Sequence, residues 1–422
     1  MKLKTLTERT VAGKTVIVRV DYNVPLTRKG NKTTIADDTR IRLSLKTIRF
    51  LLEQKAKVIL VSHLGRPKEV DSRYSLEPVA NYLKLHERLP VTFVPALTGD
   101  VARQARANQQ PGSILLLENL RFDSREKRCD LSLAKELALF TDVYINDAFS
   151  TAHRAHTSTT GIPEFLPAFA GFSLQKEVET LLELTQNPQK PLVVVLGGAK
   201  ISDKVAAVTN LSKIADIVLV GGAVANSFLQ AEGLEIHKSF IEDAPADLAK
   251  KNINYTMVAE QLIREHRTEK MLLSGYIPLP KIVYPIDVLA APSLETTKAN
   301  QVELINLTKD MADTPNDRNL LYLDIGPQTI HLYTEILKQA KTVFWNGPMG
   351  VWENPLFTEG TRRIGKAIGK VAHTIIGGGD TISAAHHLGL EKQFSYISGA
   401  GGASLEFLGG SQLPGLLPLY RK

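Results

Sequence analysis

The sequence predicts an α/β protein of two doubly wound, Rossmann-like parallel-sheet lobes, joined by a linker helix and separated by a cleft. Three observations carry that expectation. Ten short apolar, β-branched runs recur along the chain, each ending abruptly in glycine or polar residues. Helical apolar periodicity fills stretches between them, and 422 residues are enough for two separate cores. Continuous apolar runs alternating with helices are the mark of buried parallel strands in βαβ units.

In the first half the runs are Thr15–Val20 before Asp21-Tyr22-Asn23, and Val58–Val61 before Ser62-His63-Leu64-Gly65-Arg66. Next come Ile114–Leu117 before Glu118-Asn119-Leu120-Arg121-Phe122, and Val143–Ile145 before Asn146-Asp147-Ala148-Phe149. A first long helix opens at Asp38-Thr39-Arg40, with Asp37, Asp38 or Thr39 as its cap and Ile41, Leu45, Ile48, Leu51 and Leu52 on one stripe. Leu174, Val178, Leu181 and Leu182 give residues 171–189 the pattern of a linker helix, closed by Asn187-Pro188.

The second half supplies Leu192–Leu196 before Gly197-Gly198-Ala199-Lys200, Ile217–Val220 before Gly221-Gly222-Ala223, and Leu321–Leu323 before Asp324-Ile325-Gly326. It ends with Val343–Trp345 before Asn346-Gly347-Pro348, Thr374–Ile376 before Gly377-Gly378-Gly379-Asp380-Thr381, and Tyr396-Ile397 before Ser398-Gly399. The expected lobes are residues 1–170 and 190–402, with a tail from about residue 403 to 422 packing back on the first. Asn252–Pro280 reads as a surface insertion with a helix near Met257–His266.

The 51 basic and 44 acidic side chains leave a formal charge of +7. A surplus of that sign suits nucleic acid, membranes or small polyanions. The basic residues are scattered and aromatics make up only 6% of the chain, which disfavours nucleic acid. No apolar run is long enough to span a bilayer, and Met1–Arg9 offers no apolar signal-peptide core. A single cysteine makes no internal disulfide, so the cytoplasm is the expected compartment. A monomer is expected, with small-molecule substrates as its only partners.

In open parallel sheets ligands bind beyond the carboxyl ends of the strands, where every one of these clusters falls. The first half concentrates His63, Arg66, Arg121, His153, Arg154 and His156 there. Guanidinium groups bind carboxylate and phosphate bidentately, so this set fits a compact phosphorylated acid. Arg40, in a first helical turn where a cation is disfavoured, is either solvent-directed or a ligand for an anion. His153 and His156 lack the companion ligands of a zinc site.

The second half offers glycine pairs and triplets that suit a polyphosphate cradled by backbone N–H groups. Lys200 and Lys204, four apart, are expected on one helix face. Neither a Walker A spacing nor a dinucleotide fingerprint is present. Asp380 beside free amides would repel phosphate unless Mg²⁺ lay between them; the alternative is a helix cap. Glu353 is either solvated or a ligand contact. Cys129, among charged residues, reads as an incidental surface residue, and no nucleophile elbow occurs, so direct transfer is the simpler chemistry.

Arg19–Pro25, Ser62–Pro67, Glu118–Phe122, Asn146–His156, Gly197–Lys204, Trp345–Val351, Gly377–Thr381 and Gly401–Glu406 occur in the order found in the phosphoglycerate kinase family, which the chain resembles from about Val16 to its end. The resemblance implies reversible, Mg²⁺-dependent phosphoryl transfer between ATP and the carboxyl group of 3-phosphoglycerate in glycolysis, giving 1,3-bisphosphoglycerate and ADP, by in-line transfer on domain closure. It implies that Asp21, Tyr22, Asn23, Arg40, His63, Leu64, Gly65, Arg66, Arg121, His153, Arg154 and His156 bind the acid. Gly198, Ala199, Lys200, Lys204, Gly222, Asn346, Pro348, Glu353, Gly378, Gly379, Asp380 and Thr381 would bind the nucleotide, with Asp380 on the metal and Glu353 on ribose. Arg40, Lys200, Gly379 and Gly402 would be catalytic. A regulatory protein of the same fold, binding both ligands with little turnover, is the alternative. Ser150, Ala223 and Gly399-Ala400 depart from the family pattern, which bears on rate and nucleotide affinity.

Overall fold

The computed structural model describes residues 2–30, 32–242, 254–267, 270–273, 277–307 and 318–421. They divide into two compact units, Met1–Leu181 together with Gln412–Lys422, and Leu182–Ser411. The boundary falls within the helix Phe172–Gln186. The return to the first unit begins at Gln412, later than the expected 403, because the helix Gly402–Leu408 packs on the helix Val205–Ile214 of the second.

The first unit is built on a six-stranded sheet whose spatial order is Val91–Val94, Ile114–Leu117, Lys57–Val61, Thr15–Arg19, Val143–Asn146 and Ala168–Ala170. Every neighbouring pair is parallel. The strands are apolar on both faces because helices cover both sides. Val16, Val18, Val58, Leu60, Ile114, Leu116, Val143 and Ile145 form one face of the core, against Ile41, Ile48 and Leu51 from the helix Thr39–Glu53. Burying each such side chain contributes roughly 1.5–3 kcal/mol. The Asp37 carboxylate accepts from Thr39 N at 2.8 Å and starts this helix, which sets Arg40 at its second residue.

The second unit repeats the plan, in the order Ile282–Val283, Ile217–Val220, Leu192–Leu196, Thr342–Asn346, His373–Gly377 and Tyr396–Ile397. These pairs are also all parallel. Numbered along the chain the order is 3-2-1-4-5-6, the doubly wound arrangement with its switch point between Leu192–Leu196 and Thr342–Asn346. In the first unit the direction of winding reverses between Thr15–Arg19 and Val143–Asn146.

Leu321–Leu323 is the exception among the expected parallel strands. The strand Leu321–Ile325 pairs antiparallel with Asp287–Ala291, which pairs in turn with Glu303–Asn306. Its burial is partial at Leu321 and Tyr322, as suits a small sheet with one covered face. The stretch expected as a surface insertion holds the helix Tyr255–Glu265 and a hairpin of Lys270–Leu273 with Ile277–Pro280. That helix is not superficial, since Tyr255, Ala259 and Leu262 are buried and it packs on the helix Val224–Ala231. Residues 252–253, 268–269 and 274–276 of this stretch lie outside the described residues. No helix among the described residues is long and apolar enough to cross a membrane.

Candidate functional site

Each unit carries a polar cluster at the carboxyl ends of its sheet. In the first, Asp21 follows the Thr15–Arg19 strand and accepts from Arg40 at 2.6 Å, from the Ser150 hydroxyl at 2.5 Å and from Asn23 N at 3.1 Å. Ser150 therefore adds a contact to the carboxylate that holds Arg40, beyond any effect on backbone freedom. Asn23 Oδ1 accepts from Gly65 N at 2.8 Å, tying two strand ends together. Gly65 has φ +63, and a Cβ there would sit 2.3 Å from the Tyr74 ring, so a larger residue would strain the turn and displace that ring. Asn119 pins the next loop: its amide donates to the Leu64 and Tyr74 carbonyls, each at 2.8 Å, and its oxygen accepts from Leu64 N and Arg121 N. Arg121 reaches back to the Gly65 carbonyl.

These connections bring the cations into one neighbourhood. The Arg121 guanidinium is pushed down to about 10, by burial first and then by Arg154, Arg19 and Arg66. His63 is held well below its ordinary value by burial, then by Arg19, Arg121, Arg40 and Arg154. Burial also dominates at His156, pushed down to about 4 with Arg19, Arg121, Arg154 and His153 adding to it. His153 shifts the same way from burial and Arg154, whose Nε lies 2.9 Å from His153 Nε2. Of the basic residues His153, Arg154 and His156 that the sequence groups together, the two histidines are thus disfavoured as cations. Crowded by arginines and buried or partly buried, all three imidazoles are shifted toward the neutral form. Inorganic sulfate should thus bind this cluster with an affinity constant within about twofold between about pH 6 and about pH 8. Titration calorimetry showing about tenfold tighter binding at the acid end would mean that the histidines gain protons.

Two predicted residues turn away from this cluster. Tyr22 is fully buried, with its hydroxyl 3.0 Å from Ser44 Oγ, so it offers the site only backbone, and its N–H is already donated to Ser62. The Leu64 side chain is also buried.

In the second unit the glycines form an interlocked turn at the switch point. Gly197 N donates to the Asn346 carbonyl at 2.9 Å, Gly198 N to Pro348 at 2.7 Å, and Gly222 N to Met349 at 2.9 Å. Gly347 N donates to Thr381 Oγ1 at 2.6 Å, and Trp345 Nε1 to the Gly347 carbonyl at 2.8 Å. Lys200 and Lys204 do not share a helix face, because the helix starts only at Val205. Glu242 accepts from Ser202 N at 2.9 Å and holds residues 201–204 in a turn. Lys204 Nζ then lies 2.9 Å from the Lys200 carbonyl, while Lys200 itself is exposed. Lys204 is buried and its pKa is lowered by that burial, against the pull of Asp203, Asp380 and Glu242.

The helix Gly379–His387 begins beside this turn with no side-chain cap. Among the described residues, none accepts from the amides of Gly379, Asp380 and Thr381. Asn346 Nδ2 is buried and, among the described residues, has no acceptor; a Cβ on Gly378 would lie 3.0 Å from it. Free amides, a buried side-chain donor and a buried ammonium that donates to the Lys200 carbonyl make this unit rich in donors of the kind that suit anionic oxygen.

Adjoining them is a cavity of about 540 Å³. Gly198, Ala199, Gly222, Pro348, Glu353 and Asp380 line it, and its apolar wall comes from Leu229, Val288, Leu321, Met349 and Trp352. Asp324 also lines it; burial pushes its carboxyl up to about 8, so the wall carries little charge near pH 7. The sequence marked Met349, within Trp345–Val351, and Leu321, within Leu321–Leu323, but gave no signal for Leu229 or Val288, which look like any core residues. Arg19 and Ser158, which support the first cluster, were missed as well. The only hint was an arginine inside the apolar run Thr15–Val20. Cys129 is not a simple surface residue: it is half-buried, with Sγ 3.1 Å from Thr160 Oγ1. No group of three or more His, Cys, Asp or Glu suited to a metal occurs among the described residues.

Comparison with known proteins agrees along the whole chain. The family model described as phosphoglycerate kinase matches residues 6–411. The phosphoglycerate kinase of Pseudothermotoga lettingae is 44% identical over 424 residues, covering 100% of both chains. That of Chloroflexus aurantiacus is 44% identical over 430 residues, covering 99% of each. Among solved structures, the phosphoglycerate kinase of Coxiella burnetii superposes with a TM-score of 0.80 at 36% identity, covering 99% of both chains. The Pyrococcus horikoshii enzyme gives 0.79 at 32% identity, covering 99% of this chain and 98% of its own.

Proposed function

Because this chain belongs to the phosphoglycerate kinase family, we propose that its two polar clusters divide the substrates, 3-phosphoglycerate on the first unit and MgATP or MgADP on the second. The chain is a phosphotransferase with a carboxyl group as acceptor, acting in glycolysis. The observation that carries the division is the contrast between the clusters. One gathers guanidinium groups beside the ion pair of Arg40 with Asp21; the other presents free amides beside an apolar cavity.

Arg66, Arg121 and Arg154 then bind the acid by charge, while His63, His153 and His156 bind as neutral hydrogen-bonding groups. Asn23 and the turn at Gly65 set the spacing of those groups. Arg40 supports the transferring phosphoryl group, and Lys200 follows it from the nucleotide side. Lys204 and the amides at Gly378, Gly379 and Thr381 hold phosphates, with Gly402 supplying a further amide. The base lies in the cavity against Ala199, Gly222 and Pro348, and Glu353 takes the ribose. Transfer is direct and in line, as membership of the family implies.

Mg²⁺ fits the residues present. Asp380 is an exposed carboxylate at a helix start meant for phosphate, and magnesium is commonly held by one or two carboxylates plus substrate oxygens. When bound, it neutralises charge on the phosphates. Calorimetric titration of ADP with and without Mg²⁺ tests these assignments. Lys204→Ala should weaken ADP roughly 10- to 100-fold, the worth of a charge-assisted hydrogen bond. Asp380→Asn should lose most of the gain that Mg²⁺ brings. Wild-type ADP affinity in Lys204→Ala, or an undiminished magnesium effect in Asp380→Asn, would reject the corresponding role.

A further inference from the structure

Beneath the arginine cluster a buried polar chain leads to His63 through three residues, Glu126, Ser158 and Arg19, that the reaction as described does not use. Glu126, Ser158, Arg19 and His63 are between 0% and 6% exposed. Both Glu126 oxygens accept from Ser158, one from its hydroxyl at 2.6 Å and one from its N–H at 3.0 Å. The Ser158 carbonyl accepts from the Tyr144 hydroxyl at 2.7 Å, so the residue is fixed from a neighbouring strand as well. Ser158 Oγ accepts from Arg19 Nε at 3.0 Å, and Arg19 Nη2 lies 3.0 Å from His63 Nδ1. Arg19 also donates to the Val20 carbonyl, which settles the plane of its guanidinium.

We propose that Glu126, acting through Ser158 and Arg19, is a positioning residue that locks His63 as the neutral tautomer protonated on Nε2, ready to donate to the phosphorylated acid. The argument is one of proton inventory. The Ser158 hydroxyl proton is spent on Glu126, so only its lone pairs face Arg19. A guanidinium has protons and no acceptor, so His63 Nδ1 must be bare to meet it. A neutral imidazole with Nδ1 bare carries its proton on Nε2. The competing partner, Asp21 Oδ1, is 4.0 Å from Nδ1, beyond hydrogen-bond range. A doubly protonated ring would set N–H against N–H, in a pocket already crowded with arginines.

The inference rests on the reading of His63 as an acid-binding residue, and the experiment separates the two. Long-range ¹H–¹⁵N spectra of the ligand-free wild-type protein at about pH 7 should give His63 the Nε2–H signature. A ring protonated on Nδ1, singly or doubly, overturns the proposal whatever the variants do. Ser158→Ala removes the link with the loss of one oxygen. It should mix the two tautomers and raise KM for 3-phosphoglycerate about tenfold, with KM for MgATP unchanged. Glu126→Gln puts an amide donor where an acceptor stood and should act in the same direction. A His63 spectrum unmoved in Ser158→Ala overturns the relay, even if the variant melts lower. A tautomer lost in Ser158→Ala with KM for the acid unchanged upholds the relay and refutes instead the substrate role of His63.

Discussion

Replacing Arg40 with alanine is expected to lower kcat by roughly 10³–10⁵ while moving the melting temperature by no more than a few degrees. Phosphoryl transfer asks little covalent chemistry of the protein, so stabilising the charge spread over the transferring group is most of the catalytic task. Arg40 suits that task because its side chain stays 35% exposed even while paired to Asp21 at 2.6 Å. The pair orients the group without burying it. Stability is little affected for the same reason, since a partly exposed ion pair contributes about 0–1 kcal/mol. Arg40→Lys should recover only a small part of the rate, because an ammonium lacks the planar fork. A coupled assay giving kcat within tenfold of wild type for a folded Arg40→Ala would remove Arg40 from the catalytic role.

Gly347→Ala is expected to cost roughly 3–5 kcal/mol of stability in the second unit and to abolish measurable ADP binding. At φ +96 the new Cβ would lie 2.0 Å from the Gly197 carbonyl oxygen and 2.2 Å from its carbon. Backbone cannot swing aside as a long side chain can. Relieving the clash means parting the Asn346–Pro348 turn from Gly197-Gly198, which breaks the hydrogen bonds that the two glycine N–H groups donate to the Asn346 and Pro348 carbonyls. The same turn donates to Thr381, so the uncapped helix start moves with it. Binding of 3-phosphoglycerate, assigned to the other unit, serves as the control and should persist. Urea unfolding at the wild-type midpoint together with normal ADP titration would show that the turn tolerates the methyl.

The doubly wound sheets were legible because their central strands are unbroken apolar runs such as Val193–Leu196, which no amphipathic helix imitates. The missing strands were short or interrupted. Val91–Val94 has an exposed Thr92 at its middle, and Ala168–Ala170 and Ile282–Val283 have too few residues to show a period. Leu321–Ile325 shows how an apolar run can be found and yet given the wrong partner, since pairing direction is decided by the rest of the sheet. At the clusters, residue type was readable but state was not. Histidine spacing says nothing of the burial and neighbouring arginines that keep His63 and His156 neutral. Spacing also placed Lys200 and Lys204 on one helix face. Glu242, a distant residue, holds that stretch as a turn instead.

The return of residues 412–422 to the first unit has a consequence for biosynthesis. Gly415 accepts from the Asn146 side chain at the end of a central strand and donates to the Ala152 carbonyl, while Leu419 accepts from Lys4 N. Those groups stay unmatched on the ribosome until the last segment emerges. The unit translated first is therefore completed only after the unit translated second has been made, when residues 412–422 leave the ribosome and can dock.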